Sequence, residues 1–260
     1  MNTTLYYLSA TGNSLHIAKN LRETMENTTL CSIPEQLSSA QLTASSESVG
    51  FIFPLHYFGL PLLVENFIQK LDLTNTTCIF AIASCGSPVF SDAFHQIRKL
   101  LQAKNKVLAA SFHVKMISIY LPLSNLPSID KVTKRLIAAD KRIKEISSAL
   151  TQGTTTNATE YMYLPSRLMH NHWTSRKAVI DQNFSCDMNC RACGLCEKIC
   201  PTQNIQLQDG RPVWQHHCTE CLACLHVCPE KAINLGHHTK GRTRYHHPDI
   251  KISELLRNEK

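Results

Sequence analysis

Nine of the twelve cysteines in this 260-residue chain fall between Cys186 and Cys228, and eight of those nine repeat one spacing. Cys190, Cys193, Cys196 and Cys200 precede Pro201, and Cys218, Cys221, Cys224 and Cys228 precede Pro229, so both runs read C-x2-C-x2-C-x3-C-P. Soft thiolates at this density bind iron-sulfur clusters or zinc. A zinc-stapled module takes separated C-x2-C pairs, commonly with histidine, and does not account for three cysteines at two-residue gaps with a trailing Cys-Pro, twice. In the iron-sulfur pattern the first three thiolates meet one [4Fe-4S] cube and the fourth reaches the other. One cube then takes Cys190, Cys193, Cys196 and Cys228, and the second takes Cys218, Cys221, Cys224 and Cys200. Cys186 fits no position of the repeat and reads as a spare thiol, and His216, His217 and His226 read as neighbours rather than ligands.

A second chemical cluster lies near the start of the chain. Ser9, Thr11, Gly12, Asn13 and Ser14 interrupt an apolar run that ends at Leu8 and give way to a helical pattern from Leu15. Backbone N–H groups of such a turn converge at a helix start, and the surrounding donors are neutral, which suits a single phosphate monoester. Neither G-x-G-x-x-G nor G-x4-G-K-[ST] occurs, which argues against dinucleotides and nucleoside triphosphates. A helix cap alone needs one such residue, not four.

The elements that must position these residues follow from periodicity. Residues 3–8, 28–33, 48–53, 77–83 and 106–114 are short β-branched and apolar runs, and 13–26, 61–71, 90–103 and 129–150 carry helical spacing. Alternation of this kind predicts an α/β fold, a doubly wound parallel sheet with helices on both faces. The Ser/Thr-rich stretch at 147–160 marks a boundary. The expected units are residues 1–150 for the sheet, 151–180 as a linking segment with an amphipathic helix around 167–179, 181–236 as a small α+β iron-sulfur unit, and 237–260 as a polar tail. His237, His238, His246 and His247 of that tail are expected to be solvated. The net charge of +7 is spread over both halves without a dense basic block, which argues against nucleic acid as a partner. No apolar stretch is long enough to span a membrane and no leader pattern opens the chain, so the expectation is a cytoplasmic protein without a membrane partner.

The segment S-A-T-G-N-S resembles the flavodoxin phosphate loop, [ST]-x-[ST]-G-x-[ST], at every position. That resemblance implies sheet order 2-1-3-4-5 and FMN gripped by its phosphate, with the ring bracketed by the loops after the third and fourth strands. The candidates it implies for holding the rest of the ligand are Pro54, Leu55, His56, Tyr57, Phe58 and Gly59 on the first of these loops, and Ser84, Cys85 and Gly86 on the second. Cys85 reads as a small inert residue rather than a redox thiol. Taken whole, the chain resembles the flavodoxin-like proteins of anaerobes that are fused to a bacterial two-cluster ferredoxin. Members carry M-P-x-N-Y-x-P-L after the fifth strand; here the segment reads MISIYLPL, keeping Met116, Tyr120, Pro122 and Leu123 but with Ile117 and Ile119 in place of proline and asparagine. The resemblance implies an oxidoreductase with FMN and two [4Fe-4S] clusters, partnered by a ferredoxin-like donor or a reductase. It leaves open whether the electrons end on a small-molecule acceptor or on another protein.

Overall fold

The computed structural model describes residues 1–39 and 41–257. Near-continuous apolar runs demand strands that are covered on both faces, and this is how they are used. β1 (Thr3–Tyr7), β2 (Thr28–Ser32), β3 (Ser48–Pro54), β4 (Cys78–Cys85) and β5 (Ala110–Lys115) form one parallel sheet in the order β2-β1-β3-β4-β5. This is the flavodoxin-like order, with its switch point between β1 and β3. On one face, α1 (Asn13–Thr24) and α5 (Ile129–Thr151) pack Ile17, Leu21, Ala139, Ile143 and Ile146 on Leu5, Ile82 and Phe112. On the other, α3 (Leu62–Lys70) and α4 (Ala93–Gln102) set Val64, Phe67, Phe94 and Ile97 against Phe51, Phe53 and Ala81, and the single turn α2 (Ile33–Gln36) closes the edge.

Three elements start elsewhere than expected, α4 among them at Ala93 rather than at residue 90. β5 begins at Ala110 rather than at residue 106, because the Lys106 ammonium is drawn to the carbonyls of Thr74 and Thr76 (3.1 and 2.8 Å) and Val107 faces solvent. The helix expected around 167–179 is α6 (Tyr163–Ser175), followed by a 3-10 stretch at Lys177–Asn183. Pro165 sits in the first turn of α6, where no N–H is needed.

Beyond it, β6 (Phe184–Cys186) pairs antiparallel with β9 (Ile233–Leu235), and β7 (Ile205–Gln208) pairs with β8 (Arg211–Trp214). The single-turn helices α7 (Leu195–Ile199) and α8 (Ala223–Val227) carry the third cysteine of each motif. Their core, with Phe184, Ile205, Leu222, Leu225 and Ile233, is continuous with Ala10 and Leu121 from the sheet side. The segment MISIYLPL makes that junction, with Met116, Ile117 and Leu121 buried.

The tail is solvated at His237, His238 and His246, as expected, but not at His247. It runs back across the carboxyl edge of the sheet as a strap. The Tyr245 hydroxyl donates to Asn13 Oδ1 (2.8 Å), the His247 N–H donates to the Thr11 carbonyl (2.7 Å), and Lys19 pairs with Glu254 (2.6 Å). Tyr245, His247 and Ile250 are the buried anchors, while His237, His238 and His246 stay exposed. Four buried side chains, Thr239 included, among polar neighbours leave no periodic signal, which is why the segment reads as a tail. Among the described residues no helix is long and apolar enough to cross a membrane.

His113 is one of several histidines, His56 and His226 among them, that burial pushes down to about 4, and it contributes a share of the pH response. Burial in β5 beside Phe94, helped by the Arg142 charge, pushes His113 down to about 4, and its Nε2 has no partner among the described residues. The unfolded chain protonates nearer 6.5, so this contribution is whole above that pH and is lost as pH falls from there towards 4, by up to about 3 kcal/mol. Thermal melts between pH 7.5 and 4.5 are expected to show a falling midpoint whose slope His113→Leu reduces; parallel curves for the two proteins would reject this assignment.

Candidate redox sites

The eight motif cysteines assemble across the repeat rather than along it. Cys190, Cys193, Cys196 and Cys228 line one small cavity, and Cys200, Cys218, Cys221 and Cys224 line another. The chain wraps each centre by left-handed residues between the cysteines: Ala192 and Gly194 (φ 54° and 75°) in the first motif, Glu220 and Leu222 (φ 52° and 61°) in the second. After α7 and α8 the backbone turns extended at Cys200 and Cys228, which carries each fourth sulfur to the opposite cavity. Backbone N–H groups of Asn204, Glu220 and Ala232 donate to the sulfurs of Cys200, Cys218 and Cys228 at 3.2–3.3 Å. Burial, reinforced by neighbouring sulfurs, pushes Cys196 and Cys221 up to about 12 and Cys224 well above the ordinary thiol range. Thiolates so placed need a cationic centre, so the donor set fits iron-sulfur clusters. Cys186 lines neither cavity, and Arg211 donates to its sulfur at 3.7 Å.

This sorting has a direct test. Cys228→Ala is expected to abolish the cluster of the Cys190–Cys196 cavity and to spare that of Cys218–Cys224; Mössbauer or EPR loss of the latter instead would overturn the crossing. Cys186→Ser is expected to leave the iron count unchanged.

Between β1 and α1, Gly12 adopts φ 97°, open to glycine at little cost, and a Cβ there would lie 2.9 Å from that of His247. Ser9 Oγ accepts from the N–H groups of Gly12 and Leu15 (3.1 and 3.2 Å), which fixes the loop shape. The amides of Thr11, Asn13 and Ser14 meet no acceptor among the described residues. Unpaired N–H groups at the positive end of a helix fit a phosphate. Ser14 Oγ meets Ser84 Oγ at 2.9 Å, joining the loop to the end of β4. The Asn13 side chain is already committed, donating to the Ile117 carbonyl (3.1 Å) and accepting from Tyr245, so it clamps the loop. With Pro54, Leu55, Ser84, Cys85, Gly86 and residues 116–120, these groups line a cavity of about 100 Å³. Burial pushes Cys85 up to about 12, as an inert thiol requires.

The other candidates after β3 lie outside that cavity. His56 and Gly59 exchange backbone hydrogen bonds across a turn in which Tyr57 and Phe58 both have positive φ (44° and 65°). The Gly59 Cα packs against the His170 ring, the His56 carbonyl meets His170 Nδ1 at 3.0 Å, and Phe58 faces Phe90. This strained turn aims Tyr57 into a second cavity of about 650 Å³, lined among others by Tyr120, Trp173, Met169, Arg176 and Glu220. Tyr57 stacks on Trp173 (4.8 Å, 12°). The hydroxyls of Tyr57 and Tyr120 lie against each other and against Glu220 Oε1 (2.8 and 2.9 Å), so their two protons serve three contacts and at least one is donated to the carboxylate, while Trp173 Nε1 donates to Oε2 (3.0 Å). Burial above all pushes Tyr120 up to about 12 and Tyr57 higher, so both hydroxyls hold their protons. Tyr120 lines both cavities, which therefore adjoin at its ring. Sequence reasoning missed Trp173, Glu220 and Tyr245; only the placement of Glu220 between two cysteines hinted at its role.

Residues 189–233 match the family model described as a 4Fe-4S dicluster domain. The chain is 41% identical over 56 residues to one of the subunits of the ion-translocating oxidoreductase complex of Methanosarcina acetivorans, a match that covers 21% of each chain. It is 36% identical over 61 residues to a ferredoxin of Pyrobaculum islandicum, covering 22% of this chain and 51% of that one. The matches thus span about a fifth and about half of these relatives' lengths. Among solved structures, an FMN-dependent NADH-azoreductase from Bacillus anthracis in complex with FMN aligns over 58% of this chain and 99% of that one, with 14% identity and a TM-score of 0.35. By its strand order and its matched segment, the chain joins a flavodoxin-like sheet to a 4Fe-4S dicluster domain, an electron-transfer module.

Proposed function

We propose that this is an FMN- and iron-sulfur-dependent oxidoreductase in which two [4Fe-4S] clusters carry electrons from a low-potential protein donor to FMN, and on to an acceptor in the cavity between the two units. The observation that carries the reading is Glu220. It stands between Cys218 and Cys221, yet its carboxylate binds Tyr57 and Tyr120 on the loops after β3 and β5. Few bonds therefore separate a cluster ligand from the wall of a cavity that adjoins the phosphate loop. FMN supplies a group that takes electrons singly and delivers them in pairs. The chain does the rest: the Thr11, Asn13 and Ser14 amides hold the phosphate, and Ser84–Gly86 and Tyr120 line the path from it. Glu220 orients the two protonated tyrosines, and Trp173, Ile180 and Leu235 give the cavity an apolar wall. The cavity volume favours a reductase over a pure carrier between proteins.

Anaerobic purification with iron, sulfide and flavin analysis tests the cofactor set. The expected result is about eight irons and one FMN per chain. FAD in place of FMN, or no flavin after gentle reconstitution, would reject the phosphate-loop assignment.

A further inference from the structure

Where the strap crosses the first turns of α1, four polar side chains converge that the redox sites do not use. His16 and His247 are 6% and 1% exposed, with their rings stacked at 3.9 Å. Asp249 reaches both from the solvent side: its Oδ2 lies 3.7 Å from His16 Nδ1 and 3.9 Å from His247 Nδ1. One ligating atom from each of the three residues falls within 4.8 Å of the others. Tetrahedral zinc, bonded at about 2.0–2.2 Å, holds its nitrogen and oxygen ligands roughly 3.4 Å apart, so small side-chain rotations close this triangle on an ion.

A further observation points the same way. Asp140 Oδ1 lies 2.7 Å from His16 Nε2, which places the proton on Nε2 and leaves the Nδ1 lone pair facing Asp249. A carboxylate behind an imidazole in this manner is the usual support of a metal-binding histidine. His247 offers its Nδ1 to the ion, and its buried Nε2 meets no polar atom among the described residues. Among the described residues the one competitor for the Nδ1 lone pair of His247 is the N–H of Asp249 at 3.3 Å, a long contact that an ion displaces.

We propose that His16, His247 and Asp249 form a binding site for a divalent cation of the zinc class, with Asp140 as a positioning residue and water in the fourth place. Two imidazoles and one carboxylate suit zinc better than the all-oxygen shells of calcium or magnesium. The ion pins the strap to α1 one turn beyond the phosphate loop. This site is independent of the flavin reading, since none of its ligands lines the phosphate-loop cavity.

The test uses the anaerobic holoprotein, freed of loosely held metal and titrated with Zn²⁺ by calorimetry while zinc and iron are counted together. The expected result is one zinc per chain at unchanged iron, with zinc-edge absorption showing only nitrogen and oxygen neighbours at about 2.0–2.1 Å. Asp249→Asn, at an exposed side chain that leaves the strap's buried anchors in place, is expected to weaken zinc binding at least tenfold. Asp140→Asn is expected to weaken it about 10–100-fold while keeping the nitrogen and oxygen shell. Sulfur neighbours at about 2.3 Å, or zinc gained as iron is lost, would place the ion on the cysteines and overturn the proposal. Absence of binding, or unchanged affinity in Asp249→Asn, would overturn it equally.

Discussion

A variant with Cys196 and Cys224 both changed to alanine is expected to accept electrons from reduced ferredoxin at its flavin orders of magnitude more slowly than the intact protein, while dithionite still reduces that flavin directly. The two substitutions remove one ligand from each cysteine cavity. They leave the phosphate loop alone, and the sheet retains its own two hydrophobic clusters, separate from the one that surrounds the cysteines. A unit of that size with its own core holds its fold without its neighbour. Flavin content, measured alongside, reports whether the loop survived. The contrast between the two reductants isolates the route: a small molecule reaches an exposed ring edge, whereas a protein donor docks where the clusters come to the surface. Equal stopped-flow rates with ferredoxin for both proteins would show that the clusters are not the entry path, and the roles assigned to Glu220 and its tyrosines would fall with it.

Deleting the strap from Arg242 onward is expected to weaken FMN binding about tenfold to a hundredfold, mainly through faster release. The deletion removes the Tyr245 hydroxyl from Asn13 and the His247 N–H from the Thr11 carbonyl. Each such bond contributes about 0.5–1.5 kcal/mol, and about 1.4 kcal/mol is a factor of ten. The deletion also uncovers the underside of Gly12, against which the His247 and Ile250 side chains pack. Tyr245→Phe, which removes one hydroxyl and keeps the ring, is expected to fall at the lower end of that range. Filtration or fluorescence measurements of flavin release that give the intact rate for the deletion would show that the strap does not shape the phosphate site.

The parallel sheet was legible because buried strands must be apolar throughout, and runs such as SVGFIF and CIFAIA admit few other uses. The exchange of Cys200 and Cys228 between cavities was legible because a proline follows each and ends the turn. Where β5 begins was not, since Val107 looks like a strand residue and only the reach of Lys106 to two carbonyls 30 and 32 residues back keeps it out of the sheet. Nor was the fate of Tyr57. Its partner Trp173 lies on a helix more than a hundred residues away, and no local pattern distinguishes a tyrosine that stacks on a flavin from one that stacks on an indole. His247 shows the same limit most sharply: its burial is decided by residues at the opposite end of the chain.

That long separation also orders the making of the protein. A chain leaving the ribosome can bury the sheet once β5 and α5 have emerged, because every strand and covering helix precedes residue 152. The floor beneath Gly12 arrives only with residues 245–250, after both cysteine motifs. A nascent chain therefore offers the phosphate loop half-built through most of its synthesis, and secure flavin loading becomes a late event that waits for the iron-sulfur unit to be translated first.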